Sequence, residues 1–329
     1  MNSTDLTYNN LSMRWRHQRG RLEVWYATIS DPDTGIGLWI HNELVSPTVA
    51  SESPYIHGWV VFFRKGMDAV LERFGPIQIG SGLITATDGQ QDSIPVMGGM
   101  VITSDGLEGK LERLGWNLTL KDGKSAKTLF TFPSWAWSKE ILPGAQVVPV
   151  ASTVVSGTIH LDGKPFELSG ATRGNIAHIY SHSNSKRWGW LHAELGGGDV
   201  LEVVSATPTR PGLSSLPPFT LLQLRLGGID WPKDPMAAAP MFRTSLGLPT
   251  WSVKGTLGRW RIRAEITIPE KESIAVPYKD PDGSSATCTN CELSDALVLL
   301  ERRTSFFSWE PYHQWMLQGT AHAEIGARP

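Results

Sequence analysis

Five Asp-Gly pairs, Asp88-Gly89, Asp105-Gly106, Asp122-Gly123, Asp162-Gly163 and Asp282-Gly283, punctuate stretches in which apolar and polar residues alternate. A type I′ hairpin turn needs positive φ at both central residues, which Asp-Gly adopts with little strain. Alternation at period two puts successive side chains on opposite faces of a strand. The chain is therefore read as an all-β meander. Strands are predicted at residues 22–29, 36–45, 59–64, 77–87, 114–120 and 159–168. A second set follows at 177–182, 187–195, 200–207, 219–226, 251–257, 259–268, 293–301 and 319–325. Residues 67–74 fit a short helix or a strand, and residues 134–141 a helical turn ended before Pro143.

Many short strands and few helices favour closed sheets, which leave no unpaired edge. A Gly-rich break at Gly170 and Gly174 separates the two strand sets. Two antiparallel β-barrel domains are expected, over residues 1–172 and 173–329. A chain of 329 residues with 40% hydrophobic residues can bury two such cores. No internal repeat argues for a propeller or solenoid.

The 30 Lys and Arg against 32 Asp and Glu leave a formal net charge of −2, so no bulk attraction to nucleic acid is encoded. The start, MNSTDLTYNN, lacks a basic segment followed by an apolar one, and no apolar run reaches the ~18 residues of a spanning helix. A soluble, cytoplasmic protein without a membrane span is expected. Cys288 and Cys291 form a lone Cys-Thr-Asn-Cys, without the second ligand pair of a structural zinc site. They are read as reduced cysteines at a strand or turn. Nothing in the sequence specifies an oligomeric state.

Fourteen Trp is the outlying count. Each indole needs a core slot with a partner for its N–H, or a place on a cavity wall. Trp188 and Trp190 are two residues apart and share a strand face, which continues to His192 and Glu194. Trp135 and Trp137 repeat the spacing beside Pro133. Trp39, His41 and Glu43 show the same order of aromatic, imidazole and carboxylate in the first half. An ionisable group inside an apolar barrel is costly unless paired or used, so these faces are candidates for a ligand cavity. His178, on the preceding strand, is placed within reach of the same cavity. Simple core filling by the Trp rings, and a solvent-facing Glu43 or Glu194, are the competing readings. The sequence carries no Gly-x-Ser-x-Gly, no HExxH, no phosphate-binding Gly loop and no metal-spaced cluster. No cofactor and no metal are expected.

The segment from Ala177, AHIYSHSNSKRWGWLHAEL, resembles the central motif of the lipocalin-like tocopherol cyclase, hydroxyneurosporene synthase (carotenoid 1,2-hydratase) and AttH superfamily. That motif reads His-x-Trp-Gly, then Trp-x-Trp-x-His. His178, Trp188, Trp190 and His192 match it, whereas Tyr180-Ser181 replaces the first Trp-Gly. LEVWYATISDPDTGIGLWI, DPDGSSATCTNCELSDALVLLER and GTAHAEIGAR resemble the flanking strands of the family. The resemblance implies two lipocalin-like β-barrels side by side, with an apolar pocket in the N-terminal barrel or between the domains. It also implies a hydrophobic isoprenoid or polyketide substrate and no metal or organic cofactor. Activities known in the family are cyclisation of a prenylated quinol, hydration of a carotenoid double bond and intramolecular Diels-Alder closure.

The favoured reading is a pericyclase-like cyclase that folds an apolar substrate against Trp39, His41, Trp135, Trp137, Trp188 and Trp190. Its rate would come mainly from proximity, with His178, Tyr180, Lys186 or an indole N–H polarising a carbonyl. The second reading is acid-catalysed hydration or cyclisation, with Glu194, Asp199 or Glu43 as the acid and His192 beside it. The Tyr180-Ser181 departure counts against hydration of the family's usual kind. The third is an apolar-ligand carrier without chemistry.

Overall fold

A computed structural model describes residues 10–79, 99–139, 142–209, 212 and 214–329. Eleven strands form one antiparallel sheet: β1 (Arg21–Asp31), β2 (Ile36–Ser46), β3 (Tyr55–Arg64), β4 (Val70–Gln78), β5 (Val101–Ile102), β6 (Gly106–Lys110), β7 (Leu114–Lys121), β8 (Leu129–Phe130), β9 (Gly144–Leu161), β10 (Lys164–Glu167) and β11 (Arg173–Ser181). Ten form the second: β12 (Arg187–Gly196), β13 (Asp199–Thr207), β14 (Phe219–Leu226), β15 (Ile229–Trp231), β16 (Phe242–Ser245), β17 (Thr250–Leu257), β18 (Trp260–Thr267), β19 (Ile274–Lys279), β20 (Ser285–Arg303) and β21 (Trp309–Ala327). The first sheet runs β4-β3-β2-β1-β11-β9-β7-β6-β5, and the second β15-β14-β13-β12-β21-β20-β18-β17-β16. The helices are short: α1 (Ser134–Lys139) and α2 (Pro235–Ala238), the latter capped by the Asp234 side chain on the N–H groups of Met236 and Ala237. No helix among the described residues is long and apolar enough to cross a membrane.

The expected boundary at residue 172 falls at a turn inside the first sheet. β11, which the sequence assigned to the second half, pairs with β1 and β9 of the first. The chain passes between sheets at residues 182–186, and the segment at Gly170 joins β10 to β11, which both pair with β9. Dividing the chain at that later crossing is the proposal these pairings support. The predicted strand 159–168 splits around Asp162-Gly163, where both residues have positive φ. Asp105-Gly106 and Asp282-Gly283 also lie in hairpin connections, whereas Asp122-Gly123 leads into a 3₁₀ turn. Residues 67–74 lead into strand β4, and Cys288 and Cys291 are free, buried residues of β20. Asp88-Gly89 and the far part of the predicted strand 77–87 lie outside the described residues.

Strands β1 and β2 are buried along almost their whole length, on both faces. Their side chains divide by parity. Trp25, Ala27, Ile29, Leu38 and Ile40 belong to the core of the first sheet. Leu22, Val24, Tyr26 and Trp39 belong to a different core, shared with Trp188, Trp190 and Leu191 of the second sheet. Strand β7, by contrast, alternates buried and exposed residues. A strand covered on both faces loses that alternation, which is what a double-sided position requires. The two sheets thus pack against each other through β1 and β2, and the candidate site lies in that seam.

Candidate functional site

On β2 the face toward the second sheet carries Trp39, His41 and Glu43. Strand β3 sets Trp59 opposite His41 and His57 opposite Glu43. The His41 ring stacks on Trp59 at 4.1 Å, nearly parallel, and meets Trp39 edge-on at 5.2 Å. Its Nε2–H donates to Glu43 Oε1 at 2.9 Å, and His57 Nε2 lies 2.8 Å from the other carboxylate oxygen. Burial raises the Glu43 pKa, but the contacts with His41 and His57 outweigh it and hold the carboxyl at about 2. These contacts favour the Glu43 anion over the acid form that a general acid requires.

The facing wall comes from β12. Trp188 lies over Gly326 of β21, where a Cβ would come within 2.0 Å of the indole, so only glycine admits the ring. From there the Trp188 N–H donates to Glu324 Oε1 at 2.7 Å. Burial raises the Glu324 pKa, and the Trp188 and Cys288 hydrogen bonds offset this only in part. Tyr278 of β19 bridges the two walls, its ring 5.7 Å from His41 and 6.0 Å from Trp188. Burial and the neighbouring Cys288 and glutamates keep its hydroxyl protonated.

Below the Trp rings sits Glu202 of β13, fully buried. Its Oε1 accepts from Trp190 Nε1 and Gln146 Nε2, and its Oε2 faces His192 Nδ1, each at 2.7 Å. Gln146 also reaches the Tyr26 hydroxyl at 3.3 Å. Burial of this carboxylate is tolerable because its oxygens are occupied. Behind it, His322 Nδ1 meets Glu292 Oε2. Burial pushes that imidazole down to about 3 and the carboxyl well up, which favours the uncharged form of each.

These residues enclose a cavity of about 530 Å³ lined by Trp39, His41, Glu43, Trp188, Trp190 and Glu324, with Leu22, Val24, Val204 and Leu221 on its apolar flanks. That volume is of the size that holds a drug-sized ligand. The linker residues His182 to Ser185 close one side. Five of the eleven candidate residues therefore line it: Trp39, His41, Glu43, Trp188 and Trp190.

The other six do not. His192 is behind Trp190 and acts on Glu202. Glu194 lies further along β12, bonded by Ser152 Oγ at 2.7 Å, and burial pushes its carboxyl up to about 7. His178 and Tyr180 point to the opposite face of β11. There His178 stacks on Trp25 and bonds Glu23 Oε1 at 2.8 Å, while Tyr180 accepts from Arg21 Nε at 3.0 Å. Trp135 and Trp137 are on α1, not on a strand. On a helix, residues two apart diverge by about 200°, so Trp137 is buried at 3% and Trp135 is 44% exposed. Asp199, weighed as an alternative acid, bonds the Gly227 N–H at 2.7 Å in a hairpin and does not line the cavity. Glu202, Glu324, Tyr278, Gln146, Tyr26 and His57 were not picked out. One signal was available for Glu324: His322-Ala323-Glu324 repeats His192-Ala193-Glu194.

Two antiparallel sheets holding an aromatic-walled, carboxyl-bearing cavity between them define a lipocalin-like fold. The chain belongs to the tocopherol cyclase-like family, whose model matches residues 115–327. It is similar to the uncharacterized protein Rv0493c of Mycobacterium tuberculosis, 41% identical over 322 residues, spanning 96% of this chain and 89% of that one. Among solved structures it resembles CghA with Sch210972, at a TM-score of 0.62 and 12% identity over 94% of this chain and 88% of that one. A putative AttH from Nitrosomonas europaea aligns with TM-score 0.60 and 14% identity, over 93% and 92% of the two chains. Kievitone hydratase from Nectria haematococca gives 0.54 and 7%, over 93% and 88%. At these identities the structural likenesses establish the fold.

Proposed function

We propose that the chain is a cyclase of apolar, unsaturated small molecules, of isoprenoid or polyketide type, bound in the inter-sheet cavity. The observation that carries this reading is Glu324, a carboxyl held toward its neutral form in an apolar cavity that also contains the Glu43 anion. Trp39, Trp188 and Trp190 fold the substrate so that its reacting atoms meet, which supplies the proximity contribution. Glu324 then protonates, or hydrogen-bonds, the group that becomes electrophilic. The new ring bond forms, a proton leaves the attacking group to the Glu43 and His41 pair, and exchange with solvent returns a proton to Glu324 on product release. Atoms are conserved, and the reaction is an isomerisation.

The test is incubation with a prenylated hydroquinone and with an acyclic polyene, followed by chromatography with mass detection. A product of unchanged mass and new retention, absent with Glu324→Gln, supports the cyclase. A product heavier by one water would make the same site a hydratase, and ligand bound but recovered unaltered would make it a carrier.

A further inference from the structure

Strands β20 and β21 are each 19 residues long. The turn that joins them, residues 304–308, lies beyond the last pairing with β18, and residues 302–308 are all exposed. At its tip are Phe306 and Phe307, 79% and 88% exposed, their rings 4.8 Å apart. Single exposed apolar residues are ordinary, but two adjacent phenylalanines projecting from a hairpin form a patch that water disfavours.

The next layer is amphipathic. Trp309 lies between Arg261 and Arg303, 4.7 Å from each guanidinium, and Trp260 packs edge-on against Tyr312 at 4.8 Å. The neighbouring β17–β18 turn joins the same end, since Arg303 N–H donates to Arg259 O at 2.8 Å. Arg259, Arg261, Arg263, Arg302 and Arg303 stand there against Glu301 and Glu310. Glu301 is engaged by Arg261 and Arg263, and among the described residues Arg259, Arg302 and Arg303 make no ion pair. Behind the apolar rings of the tip, aromatic and cationic side chains share one layer, with Arg303 opposite Trp309 and Arg302 opposite Glu310 and beside Trp260. A bilayer presents the complement, acyl chains beneath an interfacial zone that favours Trp and Tyr and carries the anionic phosphates.

We propose that this hairpin tip docks the protein on the surface of an anionic phospholipid bilayer, with Phe306 and Phe307 inserted among the acyl chains and the arginines against the phosphates. The proposal stands on the hairpin alone and is independent of the chemistry in the cavity. It is tested by co-sedimentation of the full chain with sucrose-loaded vesicles of phosphatidylcholine, with and without phosphatidylglycerol. The wild type sediments with the phosphatidylglycerol vesicles, and less so at high salt. The double variant Phe306→Ser, Phe307→Ser binds them at least about tenfold more weakly, with an unchanged melting temperature. The pair Arg302→Glu, Arg303→Glu loses the preference for phosphatidylglycerol. Failure of the wild type to bind either vesicle, or equal binding by the serine variant, overturns the proposal. So does a wild-type dimer in solution that the serine variant dissociates, because the tip would then serve a second copy of the chain.

Discussion

Across the β12–β21 seam the Trp188 indole N–H donates to Glu324 Oε1 at 2.7 Å, fixing a cavity-lining carboxyl whose pKa is raised. If Glu324 is the proton donor, Glu324→Gln keeps the shape and an acceptor for Trp188 but lowers turnover about 10²–10⁴-fold, with ligand affinity little changed. Trp188→Phe removes a hydrogen bond that lowers the Glu324 pKa, so the high-pH limb of the activity profile moves to higher pH. Wild-type turnover in the Glu324→Gln variant would remove Glu324 from the chemistry.

The Glu43 carboxyl moves the other way, from an ordinary 4.5 to about 2. Its folded value lies below its unfolded one, so its stabilising contribution is complete above about pH 4.5 and is lost as pH falls through 2. A shift of that size is worth on the order of 3 kcal/mol. Urea unfolding should find Glu43→Gln less stable near neutrality by on the order of 2–3 kcal/mol, with the gap to wild type closing in acid. A gap independent of pH would contradict the pairing with His41 and His57.

Glu194 reverses that sign. Its folded carboxyl lies near 7 against 4.5, so the protonated fold is favoured below pH 4.5 and the advantage is lost as pH rises through 7. Glu194→Gln should therefore be more stable than wild type at pH 8 by about 1–3 kcal/mol, with turnover unaltered because the residue does not line the cavity. Equal stabilities at pH 8 would show that the carboxyl ionises freely in the fold.

The tryptophans separate by location. Trp137 packs edge-on against His178 at 4.9 Å, beneath the Arg14 guanidinium. Trp137→Ala should cost about 3–5 kcal/mol of stability while leaving the kinetics of the folded fraction intact. Trp190→Ala takes a wall from the cavity and a donor from Glu202, so it should weaken ligand binding as well as the fold. Calorimetry beside ligand titration distinguishes the two outcomes.

Strand identity was legible because period two is a local property, and Trp39, His41, Glu43, Trp188 and Trp190 were found through it. Trp135 and Trp137 misled although residues 134–141 read as a helical turn, because the spacing that shares a face on a strand means nearly opposite faces on a helix. His178 and Tyr180 share one face of β11, but which face of β11 meets the second sheet depends on its pairing with β1, more than 100 residues distant. Glu202 and Glu324 are set beside the Trp pair by register across β12, β13 and β21. No spacing along the chain encodes that meeting.

The cavity belongs to neither sheet alone: its walls are the outward faces of β1 and β2 on one side and of β12, β13 and β21 on the other. Selectivity for a ligand is then a matter of how the two sheets dock, much as in a heterodimer whose subunits share a pocket. A small rotation in that seam would resize the chamber without altering a single residue that touches the ligand. Variation far from the pocket, wherever it shifts the docking, is a route to a new substrate.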